Sequence, residues 1–233
     1  MPYSVDEIVK AYEILVRGIE EEAYNEEERA FGGIIRAGKG KLVESIAQHM
    51  VEIAWNNLKG ELERLSFEKK IIKIPINPQY IDKLKCKEVK DYIKNNINDY
   101  YYGLKTDVHV SIDNKLVMGI ECKAYTENAM LKRILVDFTL FKNVIPNIKC
   151  VLLQLESQLT GDYSQPRNKI TYGSHSTHTL LSYFDIDLNI ITLLEGERKV
   201  DKPIHNSQYY KELKKEILEN GIEVIKNLLS EFK

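Results

Sequence analysis

The sequence predicts an α/β protein in which helices flank a central sheet. Two stretches around a turn at Asp113-Asn114 alternate apolar and polar residues with the period of β-strands. A segment with apolar residues at helical spacing follows, and residues 149–155 (KCVLLQL) form an apolar run typical of a central strand. This order of strand, strand, helix and strand predicts the core, and further helices are predicted at both ends of the chain.

Length and composition predict one soluble domain. The chain has 233 residues, 43% of them hydrophobic and 29% charged, which suits a single core with a helical addition. We divide it into an N-terminal helical segment (1–37), a core (38–200) and C-terminal helices (201–233). No apolar run approaches the ~20 residues that span a bilayer, no signal peptide opens the chain, and the three cysteines suit a reducing compartment. We therefore expect a cytoplasmic protein.

The N-terminal part predicts two helices joined by a glycine-containing connection. Ser4 and Glu7 fit a capping box at the start of the first helix. Residues 31–41 (FGGIIRAGKGK) lack the P-loop pattern, and their glycines predict a flexible joint. The apolar spacing predicts two buried faces, formed in the first helix by Ile8, Val9, Tyr12, Leu15, Val16 and Ile19, and in the second by Leu42, Val43, Ile46, Ala47, Met50, Ile53 and Ala54.

Lysines and tyrosines dominate the segment before the two predicted strands. From Lys69 to Lys105 there are nine lysines and four acidic residues, although the net charge of the whole chain is −2. Residues 67–76 contain a probable strand that ends near Pro75, and three consecutive tyrosines occupy positions 100–102. Such side chains contact sugar and phosphate in nucleic-acid complexes, and solubility of exposed helices explains the lysines equally well.

Charged residues interrupt the two central strands. Asp107 opens the first strand, and Glu121 and Lys123 share one face of the second. Charges are rarely buried unless they are paired or bind a metal, so this arrangement predicts a divalent-metal site. Asp107, thirteen further residues and then Glu121-Cys122-Lys123 resemble the signature of the PD-(D/E)XK nucleases, which include many type II restriction endonucleases. The residue before Asp107 is Thr106, where the name of the pattern has proline.

The resemblance implies a restriction-endonuclease-like core and a Mg²⁺-dependent endodeoxyribonuclease. Asp107, Glu121 and the backbone carbonyl of Cys122 would bind Mg²⁺, and Lys123 would orient the attacking water. Glu44 is the best match to an acidic residue on the first core helix that supports the metal site, although a solvated glutamate is the ordinary interpretation. Double-stranded DNA and a homodimer are the implied partners. A structure-selective repair nuclease, or a non-catalytic binder with a salt-bridged strand pair, are the alternatives.

A polar segment, residues 157–179, follows the central strand and carries side chains suited to base edges. Arginine and lysine can donate to guanine, while glutamine and asparagine can pair with adenine. Zinc binding by the two histidines at 175 and 178 is a weaker alternative, because no further ligands lie near them in the sequence. The candidate DNA contacts along the chain are Lys39, Lys41, Tyr125, Asn128, Lys132, Gln165, Arg167, Asn168, Lys169, His175 and His178.

Capping residues and apolar spacing predict the remaining helices and strands. Thr126 is expected to end the second strand and to cap the following helix. That helix is expected to bury Met130, Ile134, Phe138 and Phe141. Residues 188–194 (LNIITLL) predict a strand at the sheet edge. The apolar residues of the C-terminal tail predict two helical pieces, separated at Asn220-Gly221.

Overall fold

The architecture is taken from a computed structural model, which describes the backbone of residues 4–23, 28–164, 174–204 and 206–233; the side chains of residues 19–23 and 28–37 lie outside this description. The helices in these residues are α1 Val5–Ala23, α2 Glu28–Asn57, α3 Pro78–Lys83, α4 Lys87–Asn95, α5 Asn128–Val144, α6 His175–Ser182 and α7 Lys215–Leu229. The strands are β1 Leu65–Ser66, β2 Ile72–Pro75, β3 Tyr101–Leu104, β4 Val108–Ile112, β5 Lys115–Glu127, β6 Lys149–Gln158 and β7 Leu188–Thr192.

Five strands form the central sheet in the order β1-β4-β5-β6-β7. The pairs β1·β4 and β4·β5 are antiparallel, whereas β5·β6 and β6·β7 are parallel. Strands β2 and β3 form a separate antiparallel pair. The predicted α/β class with a mixed, helix-flanked sheet is confirmed, and β7 lies at the sheet edge as expected.

The turn between β4 and β5 is the one that the sequence predicts. Asp113 and Asn114 have φ angles of 51° and 63°, the left-handed region in which Asp and Asn are well tolerated. Arg64, directly before β1, donates two hydrogen bonds to the Asp113 carboxylate, at 2.9 and 2.7 Å. The turn is therefore tied to the strand that pairs with β4.

Two apolar clusters cover the two faces of the sheet. One joins α1, α2 and α7 to β4, β5 and β6, and its largest buried side chain is Trp55. The other joins α5 to the small β2·β3 sheet and to alternate residues of β6. Strand β5 touches both layers, because Ile120 and Cys122 face the α2 side while Gly119 lies against Phe138 of α5. Strand β5 is thereby fixed between two packed layers.

The N-terminal predictions are partly correct. The capping box is confirmed, because the Ser4 N–H donates to Glu7 Oε2 at 2.7 Å and the Glu7 N–H donates to Ser4 Oγ at 3.2 Å. The predicted joint at 31–41 is wrong, since these residues lie inside α2, and the proposed boundary at residues 37 and 38 falls within the same helix. Leu15 is exposed instead of buried, and the side chain of Ile19 lies outside the described residues.

Three boundaries near the sheet also differ from prediction. Strand β5 does not end at Thr126, because parallel pairing with β6 continues to Glu127. Helix α7 is not broken at Asn220-Gly221. A Cβ on Gly221 would lie 2.7 Å from Met50 Cε and 3.0 Å from Ile191 Cγ2, so glycine allows close helix packing there and does not mark a helix end.

Several element predictions are confirmed. The strand ending at Pro75 is β2, the apolar run at 149–155 lies in β6, and Ile134, Phe138 and Phe141 of α5 are buried, while Met130 is only partly buried. Residues 157–179 show no helical periodicity in the sequence, yet α6 begins at His175 after an N-cap at Ser174. No helix within the described ranges is long and apolar enough to cross a bilayer.

Two glycines give a test of the packing around Trp55. A Cβ on Gly60 would lie 2.2 Å from Trp55 Cε2, and that indole is fully buried, so Gly60→Ala should lower the free energy of unfolding by about 1–3 kcal/mol or more. Gly40→Ala in α2 is the matched control: it meets open space and should stabilise the helix by up to about 1 kcal/mol. Equilibrium denaturation would measure both, and equal effects would contradict this packing.

Candidate active site

Lys123 bridges the two acidic side chains that the sequence singles out. Its Nζ lies 2.7 Å from Asp107 Oδ2 and 2.6 Å from Glu121 Oε2. The side chains of Lys123 and Glu121 are 25% and 11% exposed, so the cluster is largely buried but remains in contact with solvent. The structure thus brings together the three residues predicted from two adjacent strands.

The end of the β4·β5 pairing creates this cluster. The register of the two strands stops at Val108 and Ile120, so the residues beyond this pair no longer bond across strands. Asp107 occupies the first position outside the ladder, and its Oδ2 accepts a hydrogen bond from the Cys122 N–H at 2.8 Å. A carboxylate therefore replaces the missing strand partner, and this bond sets the side chain of Asp107 beside Lys123.

Cys122 contributes backbone groups, not its thiol, to this edge. The N–H and C=O of one residue point to the same side of an extended strand. Because the Cys122 N–H faces Asp107, its carbonyl faces the same edge. The thiol is buried toward α2, and burial raises its pKa well above the usual range.

The electrostatics separate the two acids. Burial raises the pKa of Glu121 to about 7, and the charge of Asp107 acts in the same direction while Lys123 opposes both. Burial opposes ionisation of Asp107 too, but the hydrogen bond and charge of Lys123 and the Cys122 N–H outweigh it, so the pKa of Asp107 is lowered. The two carboxylates in turn raise the pKa of Lys123 against the effect of burial. The cluster concentrates negative charge around one ammonium.

The backbone before Asp107 is held by a buried imidazole. The Thr106 N–H donates to His109 Nε2 at 3.1 Å, and the Lys70 N–H approaches His109 Nδ1 at 3.4 Å. His109 is 1% exposed, and burial lowers its pKa, with Lys69 and Lys105 adding to the shift. Neither strand periodicity nor the motif identifies this contact; the only sequence signal is a histidine inside an apolar strand.

Glu44 lies near the cluster but has another partner. Its Oε2 accepts a hydrogen bond from Lys69 Nζ at 2.8 Å, and both side chains are about one-third exposed. Its charge reaches the Cys122 thiol and contributes to the raised pKa there. Within the described part of the chain, no group of three or more His, Cys, Asp or Glu side chains is arranged to hold a metal ion.

The predicted DNA contacts within α2 and near the end of β5 differ in accessibility. Lys39 is buried at 8% exposure, and burial lowers its pKa against the opposing charge of Glu156, whereas Lys41 is exposed. The Tyr125 ring carries the Arg198 guanidinium 3.7 Å above its centroid. Asn128 is committed to α6, because it donates to Ser176 Oγ at 3.2 Å and accepts from Thr177 Oγ1 at 2.7 Å.

The remaining predicted contacts lie in α5, in α6 and in the segment between β6 and α6. Lys132 is exposed on α5, and His175 and His178 are exposed on α6. The four predicted base-reading residues lie outside the described part of the chain: Gln165, Arg167, Asn168 and Lys169.

A second group of buried polar side chains lies in β6, and the sequence does not predict its contacts. Glu156 of β6 is 4% exposed, and its Oε1 lies 3.0 Å from Lys211 Nζ. Gln154, also in β6, donates to Thr192 Oγ1 at 2.9 Å. Their place at the end of a central strand is visible in the sequence, but Lys211 is too distant along the chain for pattern analysis to connect it with Glu156.

Comparison with known proteins gives one relative of high similarity. No protein-family model matches the sequence. A solved structure described as the native BbvCI A2B2 tetramer at low resolution is 11% identical, with a TM-score of 0.42 over 98% of this chain and 87% of that one. The type II restriction enzyme DdeI of Desulfomicrobium norvegicum is 55% identical over 208 residues, which cover 88% of this chain and 86% of the relative. Since so high an identity extends over most of both proteins, the chain belongs to the type II restriction enzymes.

Proposed function

We propose that Asp107, Glu121 and Lys123 are the catalytic centre of this restriction endonuclease, in the arrangement of the PD-(D/E)XK nucleases. The observation that carries the proposal is the Lys123 ammonium, which lies within 2.7 Å of both carboxylates at the open end of two strands. Phosphodiester hydrolysis needs this combination of acidic ligands and a cation beside the reacting phosphate. The membership in the restriction enzymes removes the alternatives of a repair nuclease and a non-catalytic binder.

The donor set fits a divalent ion, which we propose is Mg²⁺. Two carboxylates and one strand carbonyl, at Asp107, Glu121 and Cys122, are hard oxygen ligands, and Mg²⁺ sites commonly use one or two carboxylates with water and phosphate. Burial raises the pKa of Glu121 and the charge of Asp107 adds to the shift, so a bound cation would oppose both effects. When bound, such an ion neutralises phosphate charge and makes water a stronger nucleophile.

The protein's own groups then have distinct roles. Asp107 and Glu121 would hold the cation, and the Cys122 N–H keeps the Asp107 carboxylate in place. The Lys123 ammonium would orient the attacking water and offset charge on the phosphoryl group. Glu44 is proposed as a supporting charge, acting through its place beside Lys69 and Cys122.

The DNA surface is proposed to include a lysine arm, defined as residues 68–105. This arm carries nine lysines and five acidic residues, and only four of its side chains are buried, those of Ile74, Ile81, Ile93 and Leu104. Lys83, Lys85 and Lys87 are exposed and form no ion pair within the described part of the chain. Clustered, unpaired lysines are suited to phosphates.

Base recognition is proposed for the segment between β6 and α6. Gln165, Arg167, Asn168 and Lys169 carry the side chains suited to base edges. Lys41, Tyr125, Lys132, His175 and His178 remain candidates for contacts beside them, whereas we omit Lys39 because it is buried and Asn128 because its amide binds α6.

We propose that the enzyme is a homodimer in the cytoplasm. A homodimer would place two equivalent centres on opposite strands of a palindromic site, as the isologous symmetry of such dimers requires. We treat the 233 residues as one nuclease domain, and we place it in the cytoplasm, where its three free thiols and a DNA substrate are compatible.

Removal of Lys123 tests the catalytic centre. Lys123→Ala should lower the single-turnover rate of plasmid cleavage by about 10²-fold or more, because a preorganised charge at the phosphate is lost. Lys226→Ala is the control: among the residues that the structure describes, this α7 lysine forms an ion pair with Glu223 alone, so its loss should leave the rate unchanged. Circular dichroism would confirm that both variants fold. Cleavage by Lys123→Ala at the wild-type rate would show that the assignment is wrong.

Metal affinity gives a second test. Chelation by EDTA should abolish cleavage, and Lys123→Met should bind Mg²⁺ about tenfold more tightly than the wild type, because the competing ammonium is absent. Isothermal titration with MgCl₂ in the absence of DNA measures this affinity. Asp107→Asn is the opposing variant and should weaken binding. An affinity that Lys123→Met leaves unchanged or weakens would contradict a shared site for Lys123 and the ion.

The lysine arm is tested by salt dependence. The triple variant Lys83→Ala, Lys85→Ala, Lys87→Ala should bind DNA more weakly and should reduce the slope of log K against log salt by about 0.9 for each lost phosphate contact. Exposed lysines outside the arm, at positions 10, 115 and 233, provide a triple-alanine control of equal charge change. Binding is measured by fluorescence anisotropy between low and moderate salt. Equal slopes in the two triple variants would remove the arm from the DNA surface.

A further inference from the structure

The residue before Asp107 has a backbone N–H that water cannot reach. Thr106 is 2% exposed, and it lies between the end of β3 at Leu104 and the start of β4 at Val108, where no strand ladder provides an acceptor. A buried N–H without an acceptor costs about 1–3 kcal/mol. The acceptor is His109 Nε2, 3.1 Å away, on a side chain that is itself 1% exposed.

Other contacts hold Thr106 from its remaining sides. Its Oγ1 donates to the Val108 carbonyl at 3.0 Å. Its methyl group rests on Gly119 of β5, where a Cβ would lie 3.2 Å from Thr106 Cγ2. Gly119 shares a strand face with Glu121, two residues further along β5. The backbone next to Asp107 therefore packs against β5, the strand that carries Glu121.

The imidazole can serve only one of the two N–H groups that approach it. A neutral histidine has one acceptor nitrogen, and the other nitrogen carries a proton. The Thr106 N–H lies 3.1 Å from Nε2, whereas the Lys70 N–H lies 3.4 Å from Nδ1, beyond the usual range for N–H donors. The shorter distance assigns the lone pair to Nε2 and the proton to Nδ1.

We propose that His109 is a positioning residue for Asp107, acting through the backbone of Thr106. The Asp107 Oδ2 accepts hydrogen bonds from the Cys122 N–H and from Lys123, at 2.8 and 2.7 Å, so a small displacement of its Cα disturbs both bonds. A proline at position 106 would have no N–H and a fixed φ, so it would need no acceptor. With threonine at this position, the imidazole supplies the restraint. This inference rests on the proposed catalytic role of Asp107.

Substitutions at His109 distinguish positioning from packing. The amide oxygen of glutamine can occupy the place of Nε2, whereas that of asparagine reaches only the place of Nδ1. His109→Leu and His109→Asn should therefore lower the maximal single-turnover cleavage rate by about 10²-fold, with the half-saturating enzyme concentration unchanged. His109→Gln should restore the rate to within about tenfold of the wild type. Thermal unfolding provides the folded fraction of each variant.

A double-mutant cycle with Thr106→Pro tests whether His109 acts on Asp107 through the Thr106 N–H. Because proline removes the N–H, adding His109→Leu to Thr106→Pro should change the rate little, although the same change is severe in the wild-type background. Fully additive losses would overturn the proposal, and so would equal rates for His109→Gln and His109→Asn, or wild-type cleavage by His109→Leu. If Thr106→Pro does not fold, the glutamine and asparagine variants alone decide.

Asp107→Asn separates the failure of this inference from failure of the proposed centre. If Asp107→Asn cleaves DNA at the wild-type rate, Asp107 has no catalytic role and both proposals fall. If Asp107→Asn is inactive and His109→Leu cleaves normally, the centre stands and only the positioning role is removed.

Discussion

The bond between the Asp107 carboxylate and the Cys122 N–H is the contact on which the site depends. Strands β4 and β5 stop pairing at Val108 and Ile120, and in a continuous ladder the next N–H would meet a backbone carbonyl. Here it meets a side chain, so the first unpaired position presents a negative charge at the edge of the sheet. Lys123 and Glu121 follow on the adjacent strand, and their positions result from the same register.

The packed layers on either side of β5 make this arrangement electrostatically unusual. Phe138 of α5 lies on one face and the α2 cluster on the other, so the acids are partly removed from water. Burial raises the pKa of Glu121, and Lys123 compensates only in part. Ionisable groups with such perturbed pKa values are common at functional sites.

The sequence predicts the central features because they depend on short-range patterns. The strand alternation, the Asp113-Asn114 turn and the positions of Glu121 and Lys123 on one face follow from a period of two residues. The role of a glycine is harder to predict from the sequence, because glycine occurs in flexible joints, inside helices and at close packing contacts. Gly221 is the clear case: its role depends on Met50 and Ile191, which lie far away in the chain.

Long-range contacts explain the other differences. The extension of β5 past Thr126 depends on β6, and the burial of Lys39 and its place near Glu156 depend on how α2 crosses the end of the sheet. The bond from Thr106 to His109 spans only three residues, but its acceptor is a side chain, and strand periodicity describes only the direction in which that side chain points. Patterns along the chain identify the charged residues of the candidate site better than the residues that hold them in place.

The attachment of α6 to Asn128 has a mechanical consequence. Asn128 is the residue directly after β5, and its amide binds both Ser176 and Thr177. The polypeptide that follows β6 therefore returns to the strand that bears Glu121 and Lys123, and it is fastened there by two bonds. A displacement of α6 would therefore act directly on Asn128, five residues beyond Lys123 in the chain.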